Sequence, residues 1–203
     1  MPYGTAAVDS IESSGNLAIT GNVAITGNVT ASGTLASSAG TTYPIVSGTA
    51  QATTSGTNID FTGIPSWVKR ITVMFNGVST NTSSSIIVQL GTSGGVENTG
   101  YTGQFAGMDT AGATSSQAVI TNGFGVMSTN ASHTVVGSFV LTNLSGNTWT
   151  AMGVTNRTAG TSTAAIYMSS GSKALSGTLD RVRLTTATGT DTFDAGSVNI
   201  LYE

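Results

Sequence analysis

Few residues in this chain are equipped for covalent chemistry. Among 203 residues there is one histidine, His133, and no cysteine. A Ser-His-Asp triad would have to be built on that single imidazole, and no catalytic residue is assigned. Three copies of His133 about a symmetry axis would make a metal site of the kind that symmetric trimers can assemble. The simpler expectation is a polar surface histidine at the start of a strand. Glycosidase chemistry needs two carboxyl groups roughly 5–9 Å apart in a cleft. Asp191 and Asp194 are neighbours in Thr190-Asp191-Thr192-Phe193-Asp194-Ala195-Gly196. This segment reads as a loop whose carboxylates cap turns. A calcium ion there would want more oxygen ligands than two side chains provide. Asp180, Arg181 and Arg183 read as a strand with an exposed charged face, or as an inter-subunit ion pair. No cofactor and no metal ion are expected.

Binding is the more credible activity. Trp67, Trp149, Tyr101, Phe105 and Tyr167 are candidate platforms, because aromatic faces stack on sugar rings while their polar edges hydrogen-bond. Trp67 and Trp149 begin or sit in strand-like runs, which assigns them to a core. The polar connection from Gly91 to Ser116 holds Glu97, Asn98, Tyr101, Gln104, Phe105 and Asp109. Loops on a rigid scaffold are where recognition residues concentrate, so these six form the candidate ligand-binding set.

The elements that must position them are strands. Gly15-Asn16-Leu17-Ala18-Ile19-Thr20 is repeated as Gly21-Asn22-Val23-Ala24-Ile25-Thr26, then as Gly27-Asn28-Val29-Thr30-Ala31-Ser32, and fades in Gly33-Thr34-Leu35-Ala36. Apolar residues two apart share one face of an extended chain, and Gly-Asn tolerates the left-handed backbone of tight turns. One such rung buries too little to offset its ordering entropy. Three copies wound about an axis would give Leu17, Ile19, Val23, Ile25, Val29 and Leu35 a dry core. A flexible Gly/Ser/Thr linker is the alternative; a linker has no need of regular aliphatic spacing. Residues 1–14 form a polar lead, 15–36 an intertwined trimeric β-stalk, 37–42 a neck, and 43–203 a second domain. That domain alternates short apolar runs with Gly, Asn and Ser turns, with Gln117 to Met127 and His133 to Asn143 each expected as a strand, and shows no helical period. The expectation is an all-β, jelly-roll-like β-sandwich.

Composition narrows the function classes. Only 7% of residues are charged, against about 25% in an ordinary domain. Net charge is -3, and no Lys or Arg lies between Arg70 and Arg157. That leaves no basic footprint for a nucleic acid. No apolar run approaches the roughly 20 residues of a membrane-spanning helix, and the N-terminus lacks the basic and apolar regions of a secretory signal.

Ile59-Asp60-Phe61-Thr62-Gly63-Ile64-Pro65 followed by Val68-Lys69-Arg70-Ile71-Thr72-Val73 resembles a module of tailed-bacteriophage virion proteins, particularly fibres. Leu179-Asp180-Arg181-Val182-Arg183 and the run Gly189 to Glu203 resemble the ending of the same group, and the Gly-Asn repeats resemble its stalks. The resemblance implies a homotrimeric, β-rich protein on the virion surface, on tail or capsid, ending in a globular tip. A fibre tip would attach to the host surface, most simply to glycans. Long tail fibres usually carry a larger N-terminal adaptor, and the short lead here leaves room for a capsid decoration (cement) trimer, held to other virion proteins through the N-terminal segment. A glycan depolymerase is the remote third expectation.

Overall fold

The computed structural model describes residue 26 and residues 35–37, 40–109, 112, 114–127, 130–159 and 164–203. The chain divides after Tyr43 into two units. In the first, β1 (Leu35–Ser37) pairs antiparallel with β2 (Gly40–Thr42), with Leu35 opposite Thr42. This hairpin takes in the last two residues of the expected stalk, Leu35 and Ala36, together with the expected neck. Leu17, Ile19, Val23, Ile25 and Val29 lie outside the described residues, and so does the stalk built on them.

In the second unit every described element is a strand. In chain order these are β3 (Val46–Ser47), β4 (Gln51–Ala52), β5 (Asn58–Thr62), β6 (Arg70–Thr80), β7 (Ile86–Thr92), β8 (Gly95–Val96) and β9 (Tyr101–Asp109). There follow β10 (Thr114–Val119), β11 (Phe124–Met127), β12 (His133–Ser145), β13 (Thr148–Ala159), β14 (Ala165–Ala174), β15 (Arg181–Thr186) and β16 (Phe193–Tyr202). They form two antiparallel sheets. The larger runs β10-β9-β14-β13-β12-β6-β16-β3, with β4 also on β16; the smaller runs β11-β7-β15-β5, with β8 on β7.

Alternation decides which side chains face inward. In β12, Val135, Phe139 and Leu141 are fully buried, while Val136, Ser138 and Thr142 point out. In β15, Val182 and Leu184 are buried, and Arg181 and Arg183 look outward. The inner faces meet in one apolar core, as in a β-sandwich. Phe124 of the smaller sheet stands edge-on to Tyr101 of the larger at 5.0 Å and lies 6.1 Å from Phe139.

Three expectations are corrected. Gly91 to Ser116 is not a long loop: it contains β8, β9 and the start of β10. Gly107 within β9 is a packing residue, for a Cβ there would stand 2.6 Å from the ring of buried Tyr167, whereas Gly95, Gly100 and Gly112 have the positive φ of turn glycines. Gln117 to Met127 is not one strand either. β10 ends at Val119, the Ile120 amide donates to the Gly103 carbonyl (3.1 Å), and β11 then opens in the other sheet. His133 does begin β12, but it is only 4% exposed, so it is a core residue and not a surface one. Its neighbours on β12 alternate strictly, and that parity turns the imidazole inward.

Candidate functional site

The outward rows of the smaller sheet follow from the same alternation. Asn58, Asp60 and Thr62 leave β5 between the buried Ile59 and Phe61, and Arg181, Arg183 and Thr185 leave β15 around Val182 and Leu184. The register sets Arg183 opposite Asp60 on one side and Gln89 of β7 on the other. Arg183 donates through Nε and Nη2 to the two oxygens of Asp60, each at 2.7 Å. This fork-on-fork pairing fixes the guanidinium plane. The Asp60 hydrogen bonds raise the pKa of Arg183 against the opposing effect of burial.

Beside Arg183 lies a cleft of about 250 Å³, lined by Asn58, Gln89, Asn98, Asn122, Arg183 and Thr188, among others. Its floor is prearranged by contacts within the chain. The Gln89 amide donates to the Asn122 carbonyl (2.7 Å), and the Asn122 amide to the Ala187 carbonyl (2.8 Å). Thr185 donates to the Thr57 carbonyl (2.8 Å). At the rim, Asn58 and Asn98 are exposed. Fixed amides, hydroxyls and one planar cation suit a small, hydroxyl-rich ligand, which both offers and accepts hydrogen bonds. The lining carries no carboxylate, imidazole or thiol.

Behind the rim, Thr188 Oγ1 donates to Asp191 Oδ1 (3.2 Å) and also meets Ser84 Oγ (3.1 Å). Asp191 is 8% exposed. Burial alone would raise its pKa, but hydrogen bonds from Ser84, Thr82 and Thr188 outweigh it and the carboxyl is held low. Asp194, by contrast, sits exposed on β16. Among the described residues no three acidic or histidine side chains gather as metal ligands would.

The six residues expected to bind are dispersed. Asn98 lines the polar cleft. Tyr101 and Phe105 are each 2% exposed and belong to the core, which removes them as stacking platforms. The Tyr101 hydroxyl accepts from the Leu90 amide (2.7 Å) and donates to the Glu97 carbonyl (2.9 Å), and burial pushes the phenol pKa up. Glu97 bonds Lys173 Nζ (2.5 Å) and takes the amide and hydroxyl of Ser176 (2.9 and 2.6 Å). It therefore ties the β8–β9 turn to β14. Gln104 faces outward on β9, beside a separate groove of about 320 Å³ shared with Val119 of β10. Asp109 closes β9. Trp149 and Tyr167 are buried, and Trp67 packs half-buried against Tyr202 with ring centres 6.0 Å apart. None of the five candidate aromatic platforms lines the cleft.

His133 also has no catalytic setting. Burial lowers its pKa, and the Arg157 charge lowers it further. Gly91-Thr92-Ser93-Gly94-Gly95 has the spacing of a nucleophile elbow, yet it forms the tight turn between β7 and β8, where no helix follows. Sequence reasoning missed Asn58, Gln89, Asn122, Thr185 and Thr188. The alternation Asn58-Ile59-Asp60-Phe61-Thr62 against Arg181-Val182-Arg183-Leu184-Thr185 is the signal that could have found two of them, Asn58 and Thr185.

Comparison with protein-family models, with curated proteins and with solved structures finds no match to this chain.

Proposed function

We propose that the chain is a structural fibre protein of a tailed-bacteriophage virion, a homotrimer that presents its β-sandwich, jelly-roll-like in character, to glycans of the host surface. The observation that carries this reading is the polar cleft beside Arg183, whose guanidinium Asp60 holds in place, prearranged and lined by no carboxylate, imidazole or thiol. The resemblance of the Ile59–Val73 and Leu179–Glu203 segments to fibre modules supports it from the sequence side. Gly15 to Ala36, read as an intertwined stalk, supplies the trimer. Glycan capture suits such a cleft because multivalency turns three weak sites into one firm attachment.

The test is adsorption of the purified full chain to cells of the propagating strain, with competition by that strain's surface polysaccharide. The double variant Asn58→Ala/Asn98→Ala is expected to retain its fold and lose at least tenfold in cell binding. Equal binding by the variant removes the cleft from the reading. Electron microscopy of intact particles tests the setting. Density on the tail agrees with a fibre, whereas density repeated across the capsid lattice replaces it with the decoration reading. Release of oligosaccharides from the polysaccharide would make the chain a depolymerase instead.

A further inference from the structure

The outward face of the larger sheet is unlike the polar face opposite. Val154 and Met168 stand directly across from each other on β13 and β14, and Ile166 stands across from Met108 on β14 and β9. Met152 is paired with Val140 of β12. Met152 is 68% exposed, and Val154, Met168, Ile166 and Met108 are each 55% exposed. Between them lie only neutral polar or small residues, such as Ser138, Ser170, Gln104 and Ala106. Apolar side chains gathered over four adjacent strands are not the scattered single residues normal on a soluble surface.

From β6 across β12, β13 and β14 to β9 the outward positions carry one charge, Arg70, and it sits at a corner paired with Glu203 at 2.9 Å. Lys173 and Arg157, on β14 and β13, both turn inward and are buried. An uncharged apolar face offers nothing to a charged or sugar-like partner. A second copy of the same face meets it without like-charge repulsion and with matched apolar character. Size agrees as well. The five strands from β6 to β9, with four spacings of about 4.8 Å and about ten residues in each strand, make a face of about 19 by 33 Å. That approaches the roughly 800 Å² per partner of a standard interface.

We infer that this face is the inter-subunit surface of the sandwich domain, turned toward the axis so that β13 and β14 of three copies pack against one another. The inference rests on the trimer proposed above and adds the surface by which the tips cohere. Once the repeats hold three chains together, the faces meet at high effective concentration, so each needs little affinity of its own. Methionine suits the contact, because its unbranched side chain adapts to small irregularities between subunits.

The absence of cysteine allows a direct test with the full chain. Val154→Cys, Met168→Cys and a control, Thr62→Cys on the outer face of the smaller sheet, are oxidised mildly and sized under denaturing conditions. Sedimentation of the same samples gives the native mass. Disulfide-linked pairs from position 154 or 168, but not from 62, are expected. A trimer with no link at 154 or 168 overturns the proposed surface and leaves the trimer standing. A monomer at every concentration overturns the trimer and the surface with it. In the triple variant Met152→Lys/Val154→Lys/Met168→Lys, all at exposed positions, the trimer is expected to dissociate at a concentration at least tenfold higher. An unchanged dissociation curve counts against the surface.

Discussion

From β6 to β9 of the larger sheet the outward rows set Val, Met and Ile among Thr, Ser, Asn and Gln, with Arg70 at one corner, and the buried Lys173 and Arg157 hide their charges inside. On the smaller sheet they read Asn, Asp, Arg, Gln and Thr, with the charges outward and paired. β5 and β15 of the smaller sheet alternate as the larger sheet does, β7 and β11 are buried on both faces, and the two sheets share one core. What differs is the residue type at the outward parity, which leaves the core untouched. Fold and surface identity are therefore separately encoded in the two sets of alternating positions. One set holds the sandwich together, while the other prepares one side for a neighbour of its own kind and the other for a hydrophilic ligand.

The comparison breaks most completely if the shared core is damaged. Phe139→Ala removes a fully buried ring that contacts the smaller sheet through Phe124. It should cost about 3–5 kcal/mol, and urea denaturation followed by circular dichroism should show both sheets lost in one transition. Gly107→Ala pushes a methyl group against Tyr167 and should cost about 1–3 kcal/mol in the same single transition. Arg183→Met leaves Asp60 without its fork. Since both side chains of that pair are 29% exposed, solvent screening limits the cost to about 1 kcal/mol in the same assay, while cell binding should fall more steeply than stability. The seam at Glu97 should answer to pH. Burial would raise this carboxyl, but hydrogen bonds from Lys173 and Ser176 lower it below its ordinary 4.5. The unfolded chain then takes up the proton first, so stability is present above that value and is lost as pH falls through the folded one. Glu97→Gln should flatten that part of the acid limb in a stability titration. Asn98→Ala is the smallest change, within about 0.5 kcal/mol for an exposed substitution, and it sharpens the comparison because only ligand binding should respond.

How much of this was legible beforehand varies along the chain. Long alternating runs such as His133 to Asn143 give strand and facing alike, because Val135, Phe139 and Leu141 stand at one parity. The same logic places Arg181 and Arg183 on an outward face. Between Gly91 and Ser116 it failed. There Gly107, of a residue type that ordinarily signals a turn, lies within β9 beneath the Tyr167 ring, and Tyr101 and Phe105 take the buried parity. Nothing local distinguishes a glycine beneath a ring from one in a loop. The cleft was illegible for another reason. Gln89, Asn98, Asn122 and Arg183 come from four separate stretches, and only the register of β15 between β5 and β7 brings them together. The exposed apolar face was hidden likewise, since Met152, Val154, Ile166 and Met168 look like core residues until burial is known.

The edge at β3 and β4 has a mechanical consequence. The chain enters the sandwich there through two short pairings on β16, Val46 and Ser47 beside Tyr202 and Leu201, then Gln51 and Ala52 beside Val198 and Ser197. Gly48 adds one amide bond to the Ile200 carbonyl (2.8 Å). Fully buried Thr53 then anchors the strand, with its amide on Gly196 (2.9 Å) and its hydroxyl on Ala195 (2.7 Å). A pull on Pro44 would meet these attachments a few at a time and peel them before it strained the core. Peeling to Thr53 would pay out a slack of about 30 Å, at about 3.4 Å per extended residue. The edge would then act as a yielding tether, absorbing a sudden tug while the two packed sheets stay intact.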